Sequence, residues 1–164
     1  MKVLLIDDEQ SILDIFGEIL KGANYAVITA TNGKDTLDKA ISEKPDVIIC
    51  DQILPDMNGN QILMTLKQNE TTKNIPISIL SNYSQDTLMQ EAIKLGAVDY
   101  ILKYQIEPSD LVQKVQQMLQ GGNSGAGTII SNNSTQTPPV STNQISSSAE
   151  APLPQSPSDT HVLS

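Results

Sequence analysis

Asp7, Asp8, Asp51, Ser81 and Lys103 carry side chains suited to cation and phosphate chemistry, and each stands directly after a short apolar run. Asp7 and Asp8 follow Lys2–Ile6, Asp51 follows Asp46–Cys50, Ser81 follows Ile75–Leu80, and Lys103 follows Asp99–Leu102. If those runs are strands of one open α/β sheet, the five residues meet at one edge, because ligands there bind beyond the carboxyl ends of the strands. Three carboxylates brought together repel one another, so one must take a proton or all must share a counter-ion. The constellation offers oxygen donors without Cys or His, which points to Mg2+ rather than zinc. The expected ligands are Asp8, Asp51 and the backbone carbonyl of Ile53, with Asp7 acting partly through a metal-bound water.

The elements that must position these residues follow from periodicity. Behind Asp7-Asp8-Glu9, residues Ile12, Ile15, Phe16, Ile19 and Leu20 recur at helical spacing, and Gly22 is expected to end that helix. Ala26–Ala30 reads as a second strand, followed by a helix that Asn32 caps and that carries Leu37, Ala40 and Ile41. Asp46–Cys50 is a β-branched run suited to a strand buried on both faces. Ile62, Leu63 and Leu66 mark a third helix, and Ile75–Leu80 a fourth strand with Pro76 at its start. Leu88, Met89, Ala92 and Ile93 mark a fourth helix closed by Gly96. Asp99–Leu102 is the fifth strand, and Pro108 opens a last helix with Leu111, Val112, Val115, Met118 and Leu119 on its core face. Strands alternating with amphipathic helices predict an α/β domain, (βα)5, with a parallel sheet covered on both faces.

Composition limits the partners. Ten basic residues, all Lys, stand against nineteen acidic ones, giving a net charge of −9. Such a surface is unsuited to nucleic acid, whose phosphates need counter-charge. No apolar run approaches the roughly 20 residues that span a bilayer, so no membrane insertion is expected. Cys50 stands alone and cannot form an internal disulfide, and the apolar run after Lys2 is too short for a signal sequence. A cytoplasmic protein is predicted. At Gly121 the composition turns to Ser, Thr, Pro, Gly, Asn and Gln, with no Lys and no aromatic residue. Residues 1–120 are therefore expected to fold, and 121–164 to form a disordered tether or extension in which His161 is a solvated side chain.

Taken in order, several segments carry a family resemblance. They are Leu4-Leu5-Ile6-Asp7-Asp8-Glu9, Asp51-Gln52-Ile53-Leu54-Pro55-Asp56-Met57-Asn58-Gly59, Ser81, and Gly96-Ala97-Val98-Asp99-Tyr100-Ile101-Leu102-Lys103. Over Met1 to about Gln120 the chain resembles the receiver domain of two-component response regulators, of the stand-alone, chemotaxis-regulator-like type. The resemblance implies a flavodoxin-like three-layer sandwich with strand order 2-1-3-4-5. It implies that Asp51 accepts a phosphoryl group from a histidine kinase or a histidine phosphotransfer protein, while Mg2+ and Lys103 neutralise the transferring oxygens. The Ser81 hydroxyl then donates to the phosphoryl group and Tyr100 turns inward. The surface of the fourth helix, fifth strand and fifth helix changes shape, and a downstream protein reads it. Such a protein is a phosphoacceptor and not a turnover enzyme. The target, and whether a homodimer forms through that same surface, are left open.

The chain also departs from the family. Tyr104 stands where most receivers have Pro after the Lys, usually with a cis bond that costs about 3 kcal/mol for a non-proline residue against about 0.5 to 1 for proline. That opens a different aim for Lys103. Asn82 and Tyr83 are bulky beside Ser81, and Ile53 cannot orient water, so a long-lived phosphoaspartate is expected.

Blander readings compete with these. Asp8 alone would more often be a helix cap, and Lys103 alone a solvated charge; their conjunction with Asp51 favours a site. A receiver-like interaction module that is not phosphorylated is the alternative that Tyr104 and Asn82 favour. A flavin-binding domain is disfavoured because Asp7-Asp8-Glu9 would repel the phosphate. A haloacid-dehalogenase-type phosphatase wants a second acid where Ile53 stands. Neither a Walker A loop nor G-x-G-x-x-G occurs.

Overall fold

The computed structural model of the chain describes residues 1–121. The predicted tail from residue 122 on, with His161, lies outside them. Ten elements alternate: β1 (Lys2–Ile6), α1 (Gln10–Gly22), β2 (Ala26–Ala30), α2 (Gly33–Glu43), β3 (Val47–Asp51), α3 (Gly59–Gln68), β4 (Ile77–Ser81), α4 (Asp86–Lys94), β5 (Asp99–Leu102) and α5 (Pro108–Gln120). The strands form one parallel sheet in the order β2-β1-β3-β4-β5, the flavodoxin-like arrangement expected.

Successive strand residues point to opposite faces, so β1 sends Val3 and Leu5 to one side and Leu4 and Ile6 to the other. Val3 and Leu5, with Val47, Ile49, Leu80 and Ile101, pack against Leu13, Phe16 and Leu20 of α1 and Leu111, Val115 and Met118 of α5. Leu4 and Ile6, with Ile48, Cys50, Ile77 and Ile79, meet Ala40 of α2, Ile62, Leu63 and Leu66 of α3, and Ala92 of α4. Helices on both faces leave β3 and β4 buried at every position, as the apolar run of β3 and the Ile77, Ile79 and Leu80 side chains of β4 require.

β1, β2 and β5 begin and end where the pattern predicts. β3 and β4 run one residue further, to Asp51 and Ser81, and start later, at Val47 and Ile77. Pro76 therefore precedes its strand, and its carbonyl accepts the Ile48 N–H at 3.0 Å, a bond that needs no proline N–H. The shift matters for the site. Asp51 pairs with Leu80 and Ser81 with Leu102, so both functional residues belong to the ladder.

α1 departs from expectation in two ways. Gly22 lies inside the helix, which is capped by Ala23 and left through Asn24 at φ 65°, a residue type that tolerates the left-handed region. Its buried stripe is Leu13, Phe16, Gly17 and Leu20, while Ile15 is 55% exposed. Ile12 and Ile19 flank that stripe, half-buried. Ile41 and Ile93 are likewise exposed, because the small Ala40 and Ala92 take the innermost positions of α2 and α4. The Asn32 cap forms as predicted, accepting the Asp35 N–H at 2.9 Å, and Pro108 opens α5.

Candidate functional site

The sheet edge gathers the predicted residues. Asp7 follows β1, and its N–H donates to Ala30 O at 3.1 Å, extending the β1–β2 ladder by one residue. Asp7 Oδ1 accepts the Glu9 N–H at 3.0 Å, which turns the chain so that Asp7 is buried and Asp8 faces outward. Asp51 Oδ1 accepts the Gln52 N–H at 2.8 Å. Lys103 leaves β5 with its N–H on Ser81 O at 2.8 Å. Its Nζ stands 2.6 Å from Asp7 Oδ2, 3.3 Å from Asp51 Oδ1 and 3.9 Å from Glu9 Oε1. The different aim opened by Tyr104 is not taken: no peptide bond among the described residues is cis, yet Lys103 reaches both carboxylates.

Carboxylate oxygens of Asp7, Asp8 and Asp51 all lie within 4.8 Å of one another. Burial pushes the Asp51 carboxyl up to about 6; Lys103 holds it below what burial alone would give, and Asp7 pushes it higher. Burial works against the Lys103 charge as well, but the Asp7 and Asp51 carboxylates more than offset it and raise the ammonium above its ordinary range. One lysine does not satisfy three carboxylates. Asp7 Oδ2 and Asp51 Oδ1 share its ammonium, at 2.6 and 3.3 Å, and Asp8 has no ion-pair partner among the described residues. An oxygen-only cluster of three carboxylates around one ammonium fits a hard divalent cation. The Cys50 thiol is pushed up by burial and by the Asp51 and Asp7 charges, which makes it a packing residue.

A small cleft opens above the cluster between Asp8, Glu9, Asp51, Ile53, Ser81, Asn82, Tyr83 and Lys103, with Asp7 beneath it. Asn82 and Tyr83 stand at its rim, Tyr83 49% exposed, and the apolar side chain of Ile53 is 51% exposed. Ser81 Oγ accepts the Tyr83 N–H at 3.0 Å and donates weakly to Tyr83 O at 3.3 Å. Tyr100 departs from expectation. The ring predicted to turn inward on phosphorylation is already buried, and its hydroxyl donates to Tyr83 O at 3.2 Å. That carbonyl gives the phenol the partner a buried hydroxyl needs.

Two residues escaped the sequence analysis as individuals. Glu9, noticed there only as part of an acidic triplet, approaches Lys103 and lines the cleft. Asp56 bonds the start of α2 across the surface. No local spacing announces it, since its partners lie 23 and 22 residues upstream.

Comparison with known proteins agrees with this geometry. Residues 3–116 match the family described as response regulator receiver domain. The alkaline phosphatase synthesis transcriptional regulatory protein PhoP of Bacillus subtilis is 34% identical over 73% of this chain and 48% of its own length. Sporulation initiation phosphotransferase F of the same organism is 31% identical over 62% of this chain and 81% of its own length. Among solved structures, the chemotaxis response regulator CheY4 of Vibrio cholerae is 32% identical with a TM-score of 0.67, covering 72% of this chain and 98% of that one. The chain spans about half the length of PhoP and of several other curated relatives it matches.

Proposed function

Because this chain belongs to the response regulator receiver family, we propose that it is a phosphorelay signalling domain whose phosphoacceptor is Asp51. The observation that carries this is the meeting of Asp51 with Asp7 and Asp8 within 4.8 Å and with the Lys103 ammonium, which stands 3.3 Å from Asp51 and 2.6 Å from Asp7. A carboxylate oxygen of Asp51 attacks the phosphorus of an N-phosphohistidine on a histidine kinase or histidine phosphotransfer protein. The P–N bond breaks, and the imidazole nitrogen leaves with the electron pair and takes up a proton.

Asp8, Asp51 and the Ile53 carbonyl would hold Mg2+, with Asp7 acting through a water. When bound, the ion supplies positive charge for the transferring oxygens. Lys103, between Asp7 and Asp51, neutralises the same charge as a point charge on a buried stem. The long Ser81 donation to Tyr83 O is the bond most easily exchanged for one to a phosphoryl oxygen. That exchange would loosen the start of the β4–α4 connection and leave the inward Tyr100 hydroxyl as the side-chain donor to Tyr83 O. The α4–β5–α5 surface then changes for a protein partner. The domain in this proposal is residues 1–120, acting by association in the cytoplasm and not as a turnover enzyme. No helix among the described residues is long and apolar enough to cross a membrane.

The inward Tyr100 favours a second reading, an interaction module that adopts its binding surface without phosphorylation. Intact-mass measurement with acetyl phosphate and Mg2+ separates the two. A phosphoryl adduct on the parent that is absent in Asp51→Asn and diminished in Lys103→Ala supports the phosphoacceptor. A parent without an adduct supports the module, and an adduct undiminished in Asp51→Asn places the nucleophile elsewhere.

A further inference from the structure

The connection between Asp51 and α3 is tied at both its base and its tip. At the base, Gly59 N–H donates to Gln52 O at 2.8 Å and Ile53 bridges to Asn58. At the tip, Asp56 reaches α2, where Oδ1 accepts the Gly33 N–H at 2.7 Å and Oδ2 the Lys34 N–H at 2.9 Å. These are the first two amides of that helix, which have no partner within it. The next one, Asp35 N–H, is already capped by Asn32. α2 is therefore capped twice, locally by Asn32 and from a distance by a carboxylate on the phosphoacceptor loop. Met57 sits against Gly33 so closely that a Cβ there would lie 2.2 Å from its Cγ and would displace the Met57 side chain.

We propose that Asp56 is a positioning residue for the cation site: docked on the first turn of α2, it fixes the loop tip and so holds the Ile53 carbonyl against Asp7, Asp8 and Asp51. The inference rests on the proposed role of that carbonyl as a ligand. The chemistry fits a clamp. The helix dipole favours a carboxylate at this end, and a bidentate anion fixes orientation as well as distance. The Gly33 and Lys34 amides, in that order, hold the Asp56 carboxyl below the usual carboxylate range, so it stays ionised wherever the site itself is ionised. The base tie runs from Ile53 to Asn58 across the turn that Asp56 docks, so Ile53 is held only as firmly as that turn, and partners outside a metal's own ligands typically set its affinity by such orientation.

The test is an Mg2+ titration of the full chain at low ionic strength, followed by amide NMR shifts and paired with thermal unfolding in chelator. The parent is compared with Asp56→Ala and with Asn32→Ala, which removes a cap of the same helix without touching the loop. Both variants are expected to melt earlier. Asp56→Ala alone is expected to weaken Mg2+ binding, by about 10-fold, the low end of such orienting effects because the carboxylate is exposed. Unchanged affinity in Asp56→Ala overturns the inference and leaves the cation site standing. Equal weakening in Asn32→Ala also overturns it, since the effect then belongs to α2 stability. A parent that shows no saturable Mg2+ shift removes the cation site and the inference with it.

Discussion

Lys103 Nζ lies 2.6 Å from Asp7 Oδ2, and both side chains are almost wholly buried. Removing one partner of such a pair strands the other charge, and here it strands two, because Asp51 shares the ammonium. Lys103→Ala should therefore lose about 3 kcal/mol of stability at neutral pH in chelator, the cost of breaking a buried pair. Added Mg2+ should stabilise the variant more than the parent, as the remaining positive charge available to the carboxylates. Urea unfolding with and without Mg2+ checks this. An identical loss in both buffers would mean that no cation enters the cluster.

The Asp51 carboxyl gives a pH dependence whose sign follows from burial. Its ordinary value of 3.8 is raised to about 6 in the folded chain. Between those values the folded state keeps a proton that the unfolded state has lost, so this group's contribution to stability is present below pH 4 and is lost as pH rises through 6. Asp51→Asn, neutral throughout, should accordingly gain stability over the parent as pH rises from 4 to 7 in chelator. Thermal melts across that window measure it. A gap between variant and parent that shrinks with rising pH would contradict the sign.

Much of this was legible in the sequence, and the reasons are local. A parallel sheet buried on both faces demands apolar strands, and Val47–Cys50 supplies one without a break while Ile77–Leu80 supplies another interrupted only by the small Ser78. Polar residues at the ends of those runs then fall on one edge by topology alone. Helix phase was less legible. Leu13–Phe16–Gly17–Leu20 and Ile12–Ile15–Ile19 are both valid helical stripes, and the first is buried because α1 must face the sheet and α5 together. The clamp between Asp56 and Gly33 was invisible, because an aspartate in a turn carries no sign of a helix 23 residues upstream. Tyr100 was placed on the right element. Its inward orientation depends on where Tyr83 O points, which no spacing specifies.

The lifetime of a phosphoryl group on Asp51 should be set at the rim of the cleft. Ile53 and Tyr83 both line it, the first unable to orient water and the second bulky in the path of attack. An Ile53→Asn, Tyr83→Ala double variant should lose its adduct faster, by about 10-fold, a modest share of the usual 10²–10⁴-fold effect of a positioned proton acceptor. Time-resolved intact mass after removal of phosphodonor reads the decay. Hydrolysis no faster than the parent's would show that water already reaches the phosphorus unhindered.

Two glycines should answer the same substitution with opposite signs. A Cβ on Gly59 would lie 2.7 Å from Asp51 O and 3.1 Å from Gln52 Cα, both backbone atoms that no side-chain rotation can clear. Gly59→Ala must push α3 off the end of β3 or displace the phosphoacceptor itself, at about 1–3 kcal/mol for overpacking a tight contact. Adduct formation should fall with it, because the displaced atoms belong to Asp51. A Cβ on Gly17 meets nothing within 4 Å, and this glycine lies inside α1. Gly17→Ala should therefore stabilise the fold by about 0.5–1 kcal/mol through reduced chain entropy in the unfolded state, with phosphorylation unchanged. Urea midpoints of the two variants beside the parent decide the matter. A Gly59→Ala protein as stable and as readily phosphorylated as the parent would show that α3 is free to slide away from Asp51, and the strand end would then not be the rigid platform on which the cation cluster depends.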